Sequence, residues 1–378
     1  MNICMGRVML RAFALIFVLV GIAPAALEAE SPGAYSQYDD VVFRPLPDRD
    51  GYTQAYSINF RGNGFRIYAV FLISNIGPKS LNNGVAVLIY RNGENRVFTS
   101  EQDYRTFQAV PGTLNYKSGP HRLTLEAPGG AKPLGPQGRL TLSVQSPQFQ
   151  LELELSEFQR GLRLSGGRVP VTDDPRDFVR ADVPIAFARA RGKMFFAGEN
   201  YELDGVGGMD FIYTNLSPHK YAKSFSQSRS YDPRSGIYVG VIRGANGFPG
   251  EYQARFAWLK SGQVERAGVI DKMEVLRTQV DPLSGYTVPV EVRYHAPTDR
   301  GEDCQLTEKV TRSAGGYSVL GSISSFLQFI LRVFFARPYI LHYDTEIVFA
   351  CRTANDQQPY VERARFFDVQ NSHYFIND

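Results

Sequence analysis

The chain has 378 residues, enough for two domains that each bury a core, with 41 Lys and Arg against 38 Asp and Glu. No run of Lys or Arg forms a stripe, which argues against a nucleic-acid partner, since phosphate binding needs clustered positive charge. The 26 Phe and 21 Tyr against one Trp, with 35 Gly and 22 Pro, favour many short strands joined by turns.

Residues 1–25 read as a secretory signal peptide. Arg7 and Arg11 precede the apolar run Ala12 to Ile22, too short to span a bilayer, and Ala23-Pro24-Ala25 supplies an A-x-A cleavage site, with Ala29 a second candidate. The alternative is an uncleaved anchor. The expected location is therefore periplasmic or secreted. Cleavage would remove Cys4 and leave Cys304 and Cys351, candidates for one disulfide in an exported protein or else two separate buried thiols.

After a polar leader, Glu30 to Asp50, strand signals begin at Phe65 to Ser74 and Val85 to Tyr90. Asn92-Gly93 is a tight-turn pair. Phe149, Leu151, Leu153 and Leu155 alternate with Gln150, Glu152, Glu154 and Ser156, which predicts one dry and one wet face. The pattern is that of antiparallel sandwiches and barrels. Glycines, prolines and a charged cluster then place a linker at 166–184, between a first domain at 26–165 and a second at 185–378. Strands resume at Ile237 to Arg243, Tyr252 to Trp258 and Thr287 to Tyr294, where Pro289 suggests an edge strand or a bulge. Residues 70–78 and 210–218 are similar enough to hint at duplication.

From Ser318 to Phe335, apolar and polar positions fall on opposite sides at helical spacing, and Pro338 stops the pattern. A helix over 318–335 would pack on a core, line a ligand cavity or make peripheral contact with a membrane. Its polar stripe excludes a membrane span. The five histidines are scattered and lack metal-ligand spacing. With no nucleophile elbow and no phosphate loop, neither a metal nor a cofactor is expected.

The most informative stretch is Gly205-Val206-Gly207-Gly208-Met209-Asp210-Phe211-Ile212-Tyr213-Thr214, followed by Phe225-Ser226-Gln227-Ser228-Arg229. It resembles the paired motif of the tandem lipocalin-like family that includes carotenoid 1,2-hydratase, the yeast survival-factor protein and fungal decalin-forming Diels–Alderases. In those relatives G-x-G-Y-H-D-H-N-W-G leads to W-x-W-G-R. Asp210 and Arg229 match, and Tyr213 and Phe225 keep aromatic character. Met209 and Phe211 replace the histidines that flank the acid, and Gln227 replaces the second Trp. The resemblance implies an all-β fold of two packed lipocalin-like antiparallel barrels with one amphipathic helix near the C-terminus, and an apolar pocket in one barrel or between them.

On this reading Asp210 is either an acid whose pKa rises with burial or a structural partner of Arg229. Tyr213, Phe225, Gln227 and Arg229 are the candidate ligand contacts. The leading expectation is an exported carrier or binding protein for a lipid or other long hydrophobic molecule. The alternative is an isomerase, cyclase or hydratase acting on a terpenoid or polyene with Asp210 as general acid. A structural envelope protein is the third.

Overall fold

The structure, a computed structural model, describes residues 34–44, 51–75, 82–127, 134–318, 338–352 and 362–376. The first twelve strands are β1 (Thr53–Gly62), β2 (Phe65–Ser74), β3 (Asn82–Arg91), β4 (Glu94–Gln102), β5 (Phe107–Ala109), β6 (Leu114–Ser118), β7 (His121–Glu126), β8 (Arg139–Gln145), β9 (Phe149–Leu162), β10 (Val169–Pro170), β11 (Phe178–Phe196) and β12 (Glu199–Thr214). They form one antiparallel sheet ordered β4-β3-β2-β1-β12-β11-β9-β8-β7-β6-β5, with the short β10 beside β11. The other nine are β13 (Ala222–Arg229), β14 (Ser235–Gly244), β15 (Tyr252–Lys260), β16 (Gln263–Ile270), β17 (Lys272–Val280), β18 (Thr287–His295), β19 (Asp303–Ser318), β20 (Tyr339–Arg352) and β21 (Glu362–Phe375). Their order is β16-β15-β14-β13-β21-β20-β19-β18-β17. The expected all-β, two-barrel architecture is what the chain adopts.

Each sheet curls round its own core. In the first, Phe149, Leu151, Leu153 and Leu155 point inward as their alternation requires, joining Tyr56, Phe60, Phe71, Tyr116 and Phe211. The ends of the sheet approach one another where Ser118 on β6 donates to Asn83 on β3, and Phe98 on β4 packs on Phe149 of β9. Asn92 and Gly93 turn between β3 and β4 with φ of 52° and 88°, as a two-residue hairpin needs. In the second barrel Trp258 packs edge-on against Phe349 and Phe366. Pro289 lies beside a bulge in the β17–β18 ladder, and the β18–β19 pairing is confined to Glu291–His295, so its missing N–H breaks no bond there.

The two sheets divide the chain later than the composition indicated. Residues 166–184 do not separate the barrels; 166–177 lie in the excursion between β9 and β11, which are neighbours in the first sheet, and 178–184 open β11 itself. The glycines and prolines mark that turn, and Pro184 falls in a bulge of β11 between the paired positions Asp182 and Ile185. The first sheet runs on to Thr214, and the chain crosses at 215–221. The similar peptides begin within β2 and β12, at 70–74 and 210–214, strands that flank β1 in one sheet, and do not mark two barrels; 76–78 lie outside the described residues. Ser318 is the last residue of β19; the rest of the expected helix, and residues 1–25, lie outside the described residues.

Cys304 on β19 and Cys351 on β20 are directly opposite and form the expected disulfide, 47 residues apart in sequence. Closing a loop of that length stabilises by about 4 kcal/mol in the chain-entropy model. Cys304→Ser/Cys351→Ser is accordingly expected to lower the urea midpoint by that much free energy. A loss under ~1 kcal/mol would mean that the strand pairing constrains the unfolded chain little through this bond.

Candidate functional site

Asp210 stands on the outward face of β12, opposite Ser57 of β1 and pointing at the second barrel. Met209 and Phe211, on the other parity, belong to the first core. Asn59 Nδ2 donates to Asp210 Oδ2 at 2.7 Å, and Gln227 Nε2 and Arg229 Nη1 donate to Oδ1 at 2.9 and 2.8 Å. Arg229, only 2% exposed, spends Nη2 on the carbonyls of Ile185 and Ala186 at 2.8 and 3.0 Å. Its guanidinium also faces the rings of Tyr231 and Tyr238 at 5.3 and 5.9 Å. Gly208 makes room for this arm: a Cβ there would lie 2.5 Å from Arg229 Nη2 and 2.6 Å from the Ile185 carbonyl. Burial pushes the Asp210 carboxyl above the usual range, while Arg229, Asn59 and Gln227 pull it back.

A second buried set lies along the same seam. Arg66 of β2 pairs with Asp344 of β20, which also accepts from Arg312 Nη2 at 2.7 Å. Burial alone would raise the Asp344 carboxyl, but the two arginines bring it below its ordinary value. Beside them His342 stacks on Tyr68, with ring centroids 3.7 Å apart, and burial followed by the Arg66 charge lowers its pKa to about 3.

Of the residues expected to act together, the fold unites Asp210, Gln227 and Arg229. Tyr213 faces away from them, into the first core, where it meets Tyr52 and Phe178 edge-on. Phe225 packs with Tyr221 and Tyr374 in a separate cluster.

The other polar centre is inside the second barrel and has Glu308 at its heart. On β19, Cys304, Leu306, Glu308 and Val310 share the inward parity, so one carboxyl stands among apolar neighbours, 4% exposed. Ser228 Oγ, Thr345 Oγ1 and Asn371 Nδ2 meet Oε1 at 2.5, 3.1 and 3.0 Å, and Tyr294 Oη meets Oε2 at 3.2 Å. Among the described residues no cation pairs with it. Burial raises the Glu308 pKa; the four donors only moderate the rise.

Glu308, Tyr294, Asn371, His373, Arg243 and Met273 line a cavity of about 30 Å³. That is space for one or two waters (roughly 10–15 Å³ of such volume per water). Burial, then the Arg243 charge, lowers the His373 pKa to about 4, so its ring is neutral at pH 7. Asn371 is 2% exposed, and its Oδ1 has no partner among the described residues. Sequence reasoning missed this group. Its signal was an acid on the apolar parity of β19, with Asn371 and His373 on the inward parity of β21.

No family model matches the chain, and no curated protein matches it. Solved structures do. A protein of Nitrosomonas europaea described as an AttH is 13% identical with a TM-score of 0.57, over 85% of this chain and 92% of that one. CghA in complex with Sch210972 is 10% identical with a TM-score of 0.54, over 91% and 98%. Kievitone hydratase from Nectria haematococca is 9% identical with a TM-score of 0.50, over 91% and 97%. At these identities the likeness is one of fold. The chain has the tandem lipocalin-like, two-barrel architecture along most of its length.

Proposed function

We propose that the second barrel is an enzyme site which adds water to, or isomerises, a small unsaturated molecule, with Glu308 as the proton donor. The observation that carries this reading is a carboxyl buried without a cation at the edge of a water-sized cavity. Burial favours the neutral form of such a group, the form that can donate a proton. In the hydration reading, Glu308 gives its proton to one alkene carbon and the other becomes cationic. Water then forms the new C–O bond and returns a proton to the carboxylate, so the net change is addition of H and OH. Omitting the water and losing a different C–H proton gives isomerisation.

Asp210 is the other candidate acid, but it is ion-paired with the Arg229 guanidinium, which favours its charged form, whereas the donors on Glu308 are all neutral. That arrangement favours the structural role for Asp210. A cavity of about 30 Å³ leaves no room for a long apolar cargo and admits at most the reacting end of a small molecule beside the acid. One fold relative at this distance, kievitone hydratase, lends the enzyme reading support. The disulfide fits an exported protein.

The test is to incubate the purified protein with a panel of small alkenes and enones in D₂O or H₂¹⁸O and read the products by mass spectrometry. One deuterium or one ¹⁸O per turnover is expected for at least one compound. Complete absence of label from every compound would sink the proposal.

A further inference from the structure

Along the family-like motif, the inner face of β13 carries only serine. Ser224 and Ser226 line the Glu308 cavity and Ser228 reaches the acid itself, while Gln227 and Arg229, on the other parity, go to the seam. The ladder sets the three serines opposite Phe375, His373 and Asn371 of β21. Side chains this small do not fill an interior that larger ones elsewhere pack closed, and the space of about 30 Å³ opens against them. Empty cavities in proteins are apolar; one that offers two or more polar partners holds water.

Two such partners line this one. Asn371 spends Nδ2 on Ser226 Oγ, Ser228 Oγ and Glu308 Oε1 at 3.3, 2.8 and 3.0 Å, and its buried Oδ1 has no partner among the described residues. His373 packs its ring against Phe375 and Tyr343 and makes no hydrogen bond among those residues. As a neutral ring it offers one N–H and one lone pair. The two stand two residues apart on one strand face, ~7 Å along β21, close enough for one or two waters to bridge them. We infer that the water of the reaction is held here, donating to Asn371 Oδ1 and bonded to the His373 ring, so that the Glu308 site hydrates rather than isomerises. The inference rests on the function proposed above. Neither residue takes up a proton: the oxygen of the held water forms the new C–O bond, and its proton goes to the Glu308 carboxylate. One water needs roughly 10–15 Å³, which leaves the rest of the cavity to the reacting end of the substrate.

Two measurements separate the water from the reaction. A crystal structure of the wild-type protein is expected to show water within about 3.2 Å of Asn371 Oδ1 and of a His373 ring nitrogen. A dry cavity would overturn the inference and leave Glu308 as the acid. With the alkene and enone panel in D₂¹⁸O, the wild-type products should carry ¹⁸O and carbon-bound deuterium in a ratio of about one, since hydration adds one of each. His373→Phe keeps the ring packing and removes a partner of the water, and Ser226→Val fills its space. Each is expected to cut that ratio at least tenfold. A ratio near zero in the wild type, or one that neither variant moves, would overturn the held water while the acid stands. If the crystal shows the water and no compound takes up either label, the reaction is overturned and the water site is upheld.

Discussion

Asp210→Ala is expected to destabilise the protein by about 3–5 kcal/mol, the cost of leaving a buried cation without its counter-charge. Arg229 is 2% exposed and would retain only the Ile185 and Ala186 carbonyls for its Nη2. The partner strands matter as much as the charges. Asp210 is on β12 of the first barrel and Arg229 on β13 of the second, so the pair ties the barrels together where the chain crosses between them. Urea unfolding of Asp210→Ala, Arg229→Met and the double variant supplies the measurement. The double variant should recover much of the loss, since replacing a whole buried pair by apolar groups is often close to neutral. A coupling energy above ~1 kcal/mol is expected for groups in direct contact. If Asp210→Ala alone stays within ~1 kcal/mol of wild type, the pair does not hold the seam and the acid regains its claim to chemistry.

That pairing was legible in the sequence. An acid and an arginine 19 residues apart, each amid aromatics, are residue types that tolerate burial chiefly as partners. The strands were legible for a simpler reason. Alternation in β9 fixes which side chains face the core, and Asn92-Gly93 has few uses other than a tight hairpin turn. The barrel boundary was not. β11 runs from Phe178 to Phe196 through a proline, and a strand that tolerates Pro184 in a bulge carries the same local signal as a linker. Only the pairing partners on β9 and β12 tell the two apart, and these are non-local.

The Glu308 group was hidden by the same non-locality. Its donors come from β13, β18, β20 and β21, at positions 228, 294, 345 and 371, and none is adjacent to another in sequence. A glutamate between Thr307 and Lys309 reads as part of a wet face. Its phase relative to Cys304 and Leu306 is the sole local sign that it is not. The family-like motif points to Asp210 instead, where the ion pair already occupies the arginine, while Tyr213 and Phe225 pack in other clusters.

Glu308→Gln should separate chemistry from stability. The amide keeps the size and most of the hydrogen bonds but has no proton to give, so turnover on any substrate found in the labelling assay is expected to fall by about 10²–10⁴-fold. Stability should move the other way as pH rises. Because the folded pKa of Glu308 lies above its unfolded value, the folded state holds the proton more tightly than the unfolded chain. Its contribution is fully present below the unfolded value near ~4.3 and is lost as pH climbs through the raised folded one. The amide mimics the protonated form at every pH, so the variant should match wild type in acid and unfold at higher urea above neutrality. His373 is already neutral across that window and does not share the trend. A variant that lost activity together with stability at pH 7 would make Glu308 a structural post of the barrel. One that kept full activity would remove it from the reaction, since among the described residues no other carboxyl lines this cavity.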